Sequence, residues 1–165
     1  MTKKKFVWFE DHLNARDQGL LRKQLTVFED AGHMYVAAST LSELANVLKS
    51  QSPGDIAGLV VDMMVALSAK ETSLECLGVD IPVNSYDVGR ELVKTLLLDK
   101  RADRLSTAHD LAKFAQHPLL VLSTIDVDLD DWGLTRKKSE GRVAYIYKHG
   151  PSMSEDLRVW LNRHG

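Results

Sequence analysis

The chain has 165 residues, 44% of them hydrophobic and 27% charged, with a formal net charge of -2. That length suits one domain with a sizeable core, and that charge argues against a nucleic-acid or anionic-membrane footprint spread over the whole surface, leaving room for a local basic patch only. A single cysteine, Cys76, excludes a disulfide framework and a cysteine zinc site.

The opening "MTKKK" is basic, but the apolar "FVWF" behind it breaks off at Glu10-Asp11, so it lacks the core of a secretory signal. No apolar stretch approaches the ~20 residues that span a bilayer, and a cytoplasmic protein is the simple expectation. "KFVWF" (5–9) reads as the first strand. Leu21, Leu25 and Phe28 then share one face of a helix. "HMYVAAS" (33–39) is a second strand, and Leu41, Leu44 and Leu48 line a second helix that Thr40 and Glu43 open as a capping box. "IAGLVV" (56–61) is a third strand. Residues 66–85 read as a loop-like insertion. Val88, Leu92 and Leu96 line a third helix, and Leu105, Ala108, Ala112 and Ala115 mark a helix-like piece within 99–117.

"PLLVLS" (118–123) and "RVAYIY" (142–147) are the fourth and fifth strands. Between them the polar stretch 125–141 should hold a helix with only a weak apolar stripe. Ser152 and Glu155 form a second capping box before Leu157, Trp160 and Leu161. Strands that alternate with helices, and apolar runs that do not alternate internally, predict an α/β domain with a parallel sheet buried on both faces.

The strand ends carry the chemistry. In an open parallel sheet, ligands bind outside the carboxyl ends of the strands, where strand order reverses. Strand one ends at Glu10 and Asp11, strand three at Asp62, strand four at Ser123 and Thr124, and strand five at Lys148. Clustered carboxylates repel unless a cation joins them, and hard oxygen ligands select Mg²⁺. A lysine and a hydroxyl beside them suit a phosphoryl group, whose transfer depends on positioning and charge neutralisation. Asp62 is then the nucleophile of an aspartyl phosphate. Alone, Asp62 would read as a strand-end acid capping a turn; its company favours the functional role.

The ordered set "FVWFED", "LVVDMM", "YDVGREL", "LLVLST" and "AYIYK" resembles the receiver domain of two-component response regulators over residues 5–148. The resemblance implies a doubly wound, flavodoxin-like five-stranded sheet in the order 2-1-3-4-5, formed by a single receiver-like domain over 1–165. It implies Mg²⁺ held by Glu10, Asp11, Asp62 and the Met64 main-chain carbonyl, with Asp62 phosphorylated and Lys148 paired to the phosphoryl oxygen. Ser123 and Tyr145 become the switch pair. Either Ser123 or Thr124 can supply the switch hydroxyl, and register favours Ser123. The implied partners are a histidine kinase or phosphotransfer protein and a downstream protein, with no direct nucleic acid and no membrane. No DNA-binding or catalytic domain is expected after residue 165, and signalling through protein contacts is the expected output. The chain is expected to be no enzyme beyond self-phosphorylation from a phosphodonor and autodephosphorylation.

The chain departs from the family pattern in places. Val65 stands where the family has Pro, and His149-Gly150 separate Lys148 from Pro151. The insertion delays the D-x-G element by about twenty residues against a tight loop and emerges beside Asp62. The Asp-rich stretch falls where the family's fourth helix helps form the output face. These departures leave open a pseudo-receiver, an interaction module without phosphorylation. A Mg²⁺-dependent phosphohydrolase is a third reading, but no dedicated general acid/base stands out for it. Met63, Met64 and Trp8 read as packing, and the six histidines lack zinc spacing. "IDVDLDDW" lacks the Gly and Glu of a calcium loop.

Overall fold

The apolar runs become strands covered on both faces, which is why they carry no internal polar alternation. The computed structural model describes residues 4–11, 19–97 and 112–165. Its strands are β1 (Lys5–Phe9), β2 (Met34–Ala38), β3 (Ile56–Asp62), β4 (Leu119–Ser123) and β5 (Val143–Tyr147). They pair in parallel in the order β2-β1-β3-β4-β5, the order expected. β3 includes Asp62, which still pairs with Leu122.

The helices are α1 (Gly19–Asp30), α2 (Leu41–Ser50), α3 (Val88–Leu97), α4 (Thr135–Ser139) and α5 (Met153–His164). Alternate strand residues divide between two apolar layers. Phe6, Trp8, Val60, Leu120 and Leu122 pack with Phe28 of α1 and with Leu157, Trp160 and Leu161 of α5. Val7, Phe9, Leu59, Val61 and Val121 pack with Leu41, Leu44 and Leu48 of α2 and with Val88, Leu92 and Leu96 of α3. Trp8 stacks on Phe28 with ring centroids 4.9 Å apart.

At the start of α2 the Glu43 N–H donates to Thr40 Oγ1 (3.1 Å), while the Glu43 carboxylate accepts from the Ser39 N–H (2.7 Å). The cap therefore closes one residue further upstream than a simple box. The second box does not form. Ser152 has a compact backbone (φ -94°, ψ 3°) rather than the extended one from which a cap reaches into the first turn. Its hydroxyl donates to Asp156 instead (2.6 Å), and Glu155 pairs with Arg158.

The insertion is more ordered than a loop. Ser73 and Pro82 form an antiparallel bridge around a 3-10 turn at Glu75–Leu77. Leu74, Leu77 and Val79 are buried in the α2–α3 layer. Glu71 ties the insertion to α2 by accepting from the Ser42 N–H (3.2 Å). The stretch 125–141 holds less helix than expected. Asp128 accepts from the Asp130 N–H (2.8 Å) and Gly133 adopts φ +71°, so turns consume the segment until Thr135. Leu129 and Leu134 anchor it to the core. Of the helix-like piece within 99–117, Leu105 and Ala108 lie outside the described residues, and Ala112–Phe114 is a 3-10 turn.

Candidate functional site

β1 has β2 on one side and β3 on the other, so the connections leaving β1 and β3 part company at the carboxyl end of the sheet. Glu10 and Asp11 follow β1, and Asp62 ends β3, on the two sides of that crevice. The Glu10 N–H donates to the Ala38 carbonyl (3.0 Å), which fixes Glu10 as a continuation of the sheet. The Lys148 N–H donates to the Ser123 carbonyl (2.8 Å) and does the same beyond β5. The lysine stem then crosses the end of β4 to reach the acids.

There the Lys148 ammonium donates to Glu10 Oε2 at 2.8 Å and forms an ion pair with Asp62 Oδ2. All three groups are almost out of water: Glu10 is 2% exposed, Asp62 4% and Lys148 7%. Burial works against the Lys148 charge, but Asp62 and then Glu10 outweigh it and hold the ammonium above the ordinary lysine value. Glu10 shifts the other way for an acid in an ion pair. Burial pushes its carboxyl up, and the neighbouring Asp62 pushes it further than Lys148 can pull it back. The asymmetry is physical, since the lysine lies between two acids while Glu10 has acidic Asp62 beside it as well as the lysine.

These groups open onto a cleft of about 330 Å³ lined by Glu10, Asp11, Asp62, Met64, Thr124 and Lys148. Its remaining walls are Val65, Ala66, Ser85 and Tyr86, the two ends of the insertion. The Val65 N–H donates to the Ser85 carbonyl (3.1 Å), and the Ser85 hydroxyl accepts from the Leu67 N–H (3.2 Å). Proline at 65 has no N–H to give, so Val65 and the insertion are physically linked departures. The Asp11 carboxylate accepts from the Ala66 N–H (2.8 Å) and joins the first loop to the same wall.

The D-x-G element has a structural reason as well. The Gly89 N–H donates to the Met63 carbonyl (3.1 Å), which brings the start of α3 against the end of β3. Asp87 accepts from the Asn84 N–H (2.9 Å) and pairs with Arg90 (3.1 Å), so it shapes the turn into α3.

Ser123 and Tyr145 lie apart from this cleft's lining. Ser123 is fully buried; its hydroxyl accepts from the Ile125 N–H (3.1 Å) and lies 3.9 Å from the Met63 sulfur. The Tyr145 hydroxyl donates to the Ile125 carbonyl (2.8 Å) and accepts from the Val127 N–H (3.2 Å). Burial holds that phenol above its usual value. Both side chains thus grip the segment that follows β4. Tyr145→Phe removes two of those bonds and is expected to cost about 1 kcal/mol, a fall in Tm of roughly 2–4 °C. Thermal denaturation checks this, and an unchanged Tm would mean that the hydroxyl does not hold the segment.

Thr124, the alternative switch hydroxyl at the end of β4, lines the cleft. Ser85 and Ala66 are cleft residues that the strand-end pattern did not single out. They come from the insertion, whose path depends on contacts far apart in sequence.

The Mg²⁺ implied by the resemblance would meet only hard oxygen donors. Glu10, Asp11, Asp62 and Met64 line one cleft, and that chemistry fits a small divalent cation. It is not drawn into a ready cluster. Among the described residues no three His, Cys, Asp or Glu groups are arranged to hold an ion. In this arrangement the Lys148 ammonium already bridges Glu10 and Asp62, and Asp11 is engaged by Ala66. His33 bonds Asn162 (3.1 Å) and His149 packs on Tyr147, while His12 lies outside the described residues. Cys76 is exposed. No helix among the described residues is long and apolar enough to cross a membrane.

No family model and no curated protein matches the sequence. Solved structures do. A CheY-like response regulator receiver domain protein from Methanospirillum hungatei JF-1 is 14% identical, with a TM-score of 0.52 over 98% of this chain and 92% of that one. A response regulator in red light signaling of R. palustris is 17% identical over 94% of this chain and 90% of that one, with a TM-score of 0.47. A de novo designed Rossmann 2x3 fold protein is 14% identical over 100% and 93%, with a TM-score of 0.46. Together with the strand order, the likeness to the Methanospirillum protein shows that this chain has the fold of a CheY-like response regulator receiver domain.

Proposed function

We propose that the chain is a phosphoacceptor receiver that takes a phosphoryl group on Asp62 with Mg²⁺, from a histidine kinase or phosphotransfer protein. Its output passes through protein contacts. One observation carries the reading: a buried carboxylate at the end of the central strand, held by the Lys148 ammonium beside Glu10, opens onto a cleft. An acid so placed is costly to keep unless it is used. Lys148 lies where it can neutralise an incoming phosphoryl oxygen, and Glu10, Asp11 and the Met64 carbonyl are the donors for the metal. When bound, Mg²⁺ would neutralise phosphoryl charge and hold the group in line with Asp62.

The test is incubation with Mg²⁺ and acetyl phosphate followed by intact mass, with Asp62→Asn as control. A single phosphate adduct, absent from the variant, is expected. One observation favours a second reading, a pseudo-receiver that binds partners without phosphorylation: the Lys148 ammonium already bridges Glu10 and Asp62, two of the metal's expected donors. No adduct, together with no Mg²⁺ binding by titration, would overturn the phosphoacceptor reading in favour of this one. Turnover of many phosphate esters per chain would point to a hydrolase.

A further inference from the structure

An in-line displacement puts nucleophile and leaving group on opposite sides of the phosphorus. Asp62 is almost fully buried at the inner end of its cleft, so the group that leaves must stand at the mouth. Tyr86 is the one aromatic residue among those lining that cleft, and it is 77% exposed. Its main chain is held in place. The Tyr86 N–H donates to Asn84 Oδ1 (2.9 Å), and the Asn84 side-chain amide donates to Asp87 Oδ2 (3.1 Å). The ring is therefore presented to solvent from a turn that side-chain hydrogen bonds fix. An exposed tyrosine by itself needs no explanation. What sets Tyr86 apart is its place at the rim of the phosphoacceptor cleft and on the wall of a neighbouring groove that also holds the exposed Ile125.

We propose that Tyr86 is a specificity-determining residue, whose ring stacks on the imidazole of a histidine-bound phosphoryl donor; this rests on the phosphoacceptor reading above. The P–N bond of the donor breaks, and its electron pair passes to the imidazole nitrogen. The ring already carries a proton on its other nitrogen and leaves as neutral imidazole, while an Asp62 carboxylate oxygen forms the new P–O bond. Before transfer the donor ring is planar and positively charged, and both properties suit an aromatic face. Acetate, the leaving group of acetyl phosphate, has neither a ring nor a positive charge. Tyr86 thus sorts donors by the group that leaves, while Asp62 and Lys148 treat the phosphoryl group alike in both.

The experiment compares two small donors, phosphoimidazole and acetyl phosphate, each below saturation in Mg²⁺, with adduct formation followed by intact mass over time. Tyr86→Ala is expected to slow transfer from phosphoimidazole about 3- to 10-fold, the worth of one ring contact, with transfer from acetyl phosphate little changed. Tyr86→Phe keeps the ring and should lie within about twofold of wild type on both donors. The ratio of the two rates is read on one protein sample, so a general loss of fold or metal cancels. The proposal is overturned if Tyr86→Ala leaves that ratio at the wild-type value, whether both rates fall or neither does. It is overturned equally if Tyr86→Phe shifts the ratio as far as Tyr86→Ala. A wild-type chain that reacts with acetyl phosphate but not with phosphoimidazole overturns it too and leaves the phosphoacceptor reading in place. A wild-type chain that takes a phosphoryl group from neither donor overturns the phosphoacceptor reading, and this proposal falls with it.

Discussion

Replacing Lys148 by methionine is expected to lower the unfolding free energy by about 3–5 kcal/mol, a fall in Tm of roughly 6–20 °C. Methionine keeps much of the length and apolar stem, so the loss is electrostatic. The ammonium sits between Glu10 and Asp62, both almost fully buried. Without it, two adjacent carboxylates remain out of water with no cation between them. The triple variant Glu10→Gln, Asp62→Asn, Lys148→Met removes all three charges and should recover most of that stability, since a buried ionic set replaced as a whole is close to neutral. Chemical denaturation of both variants in metal-free buffer measures the difference. Equal stabilities would show that Lys148 does not neutralise the two acids.

Gly89→Ala should be nearly as damaging, for a steric reason. A Cβ on Gly89 would overlap the Asp62 carbonyl oxygen and lie 2.6 Å from Met63 Cα. Both neighbours are backbone, so neither can rotate away, and the start of α3 must separate from the end of β3. The cost is about 3 kcal/mol, at the upper end for overpacking, or roughly 6–12 °C in Tm. The Gly89–Met63 hydrogen bond lengthens with it, and the loop that carries Met64 and Val65 shifts beside Asp62. Phosphorylation should therefore weaken even at temperatures where the variant is folded. Gly54→Ala is the control, because a Cβ there meets only Ser52 Oγ at 4.0 Å. It should change stability by about 0.5 kcal/mol or less.

How much of this is legible in the sequence depends on the range of the interactions. The strands are legible because each is a continuous apolar run, a pattern that burial on both faces imposes locally. The helix faces follow from 3.6-residue spacing, and Leu41, Leu44 and Leu48 are buried as a set. Glu10, Asp62 and Lys148 could be placed together because each directly ends or follows a strand, and parallel pairing aligns those ends. The insertion resisted reading because its order comes from partners far away. Leu74 and Leu77 pack in the α2–α3 layer, and Val65 answers Ser85 across the whole excursion. The capping pattern at Ser152 and Glu155 failed because Asp156 and Arg158 offered those side chains better partners. Ser123 and Thr124 are equivalent as letters. Only their surroundings separate a buried hydroxyl with a backbone partner from one in the cleft. The helix expected in 125–141 shrank to α4 because Asp128 and Gly133 favour turns over a weak apolar stripe.

The central claim is that Asp62 itself carries the phosphoryl group. The most direct measurement treats the chain with Mg²⁺ and acetyl phosphate, reduces the product with borohydride, and locates the modified residue by peptide fragmentation. An acyl phosphate on Asp62 is reduced to homoserine, so the account predicts homoserine at position 62 and unmodified aspartate there when acetyl phosphate is omitted. Homoserine at another acid, or a phosphate adduct that survives borohydride on a hydroxyl or histidine, would contradict it.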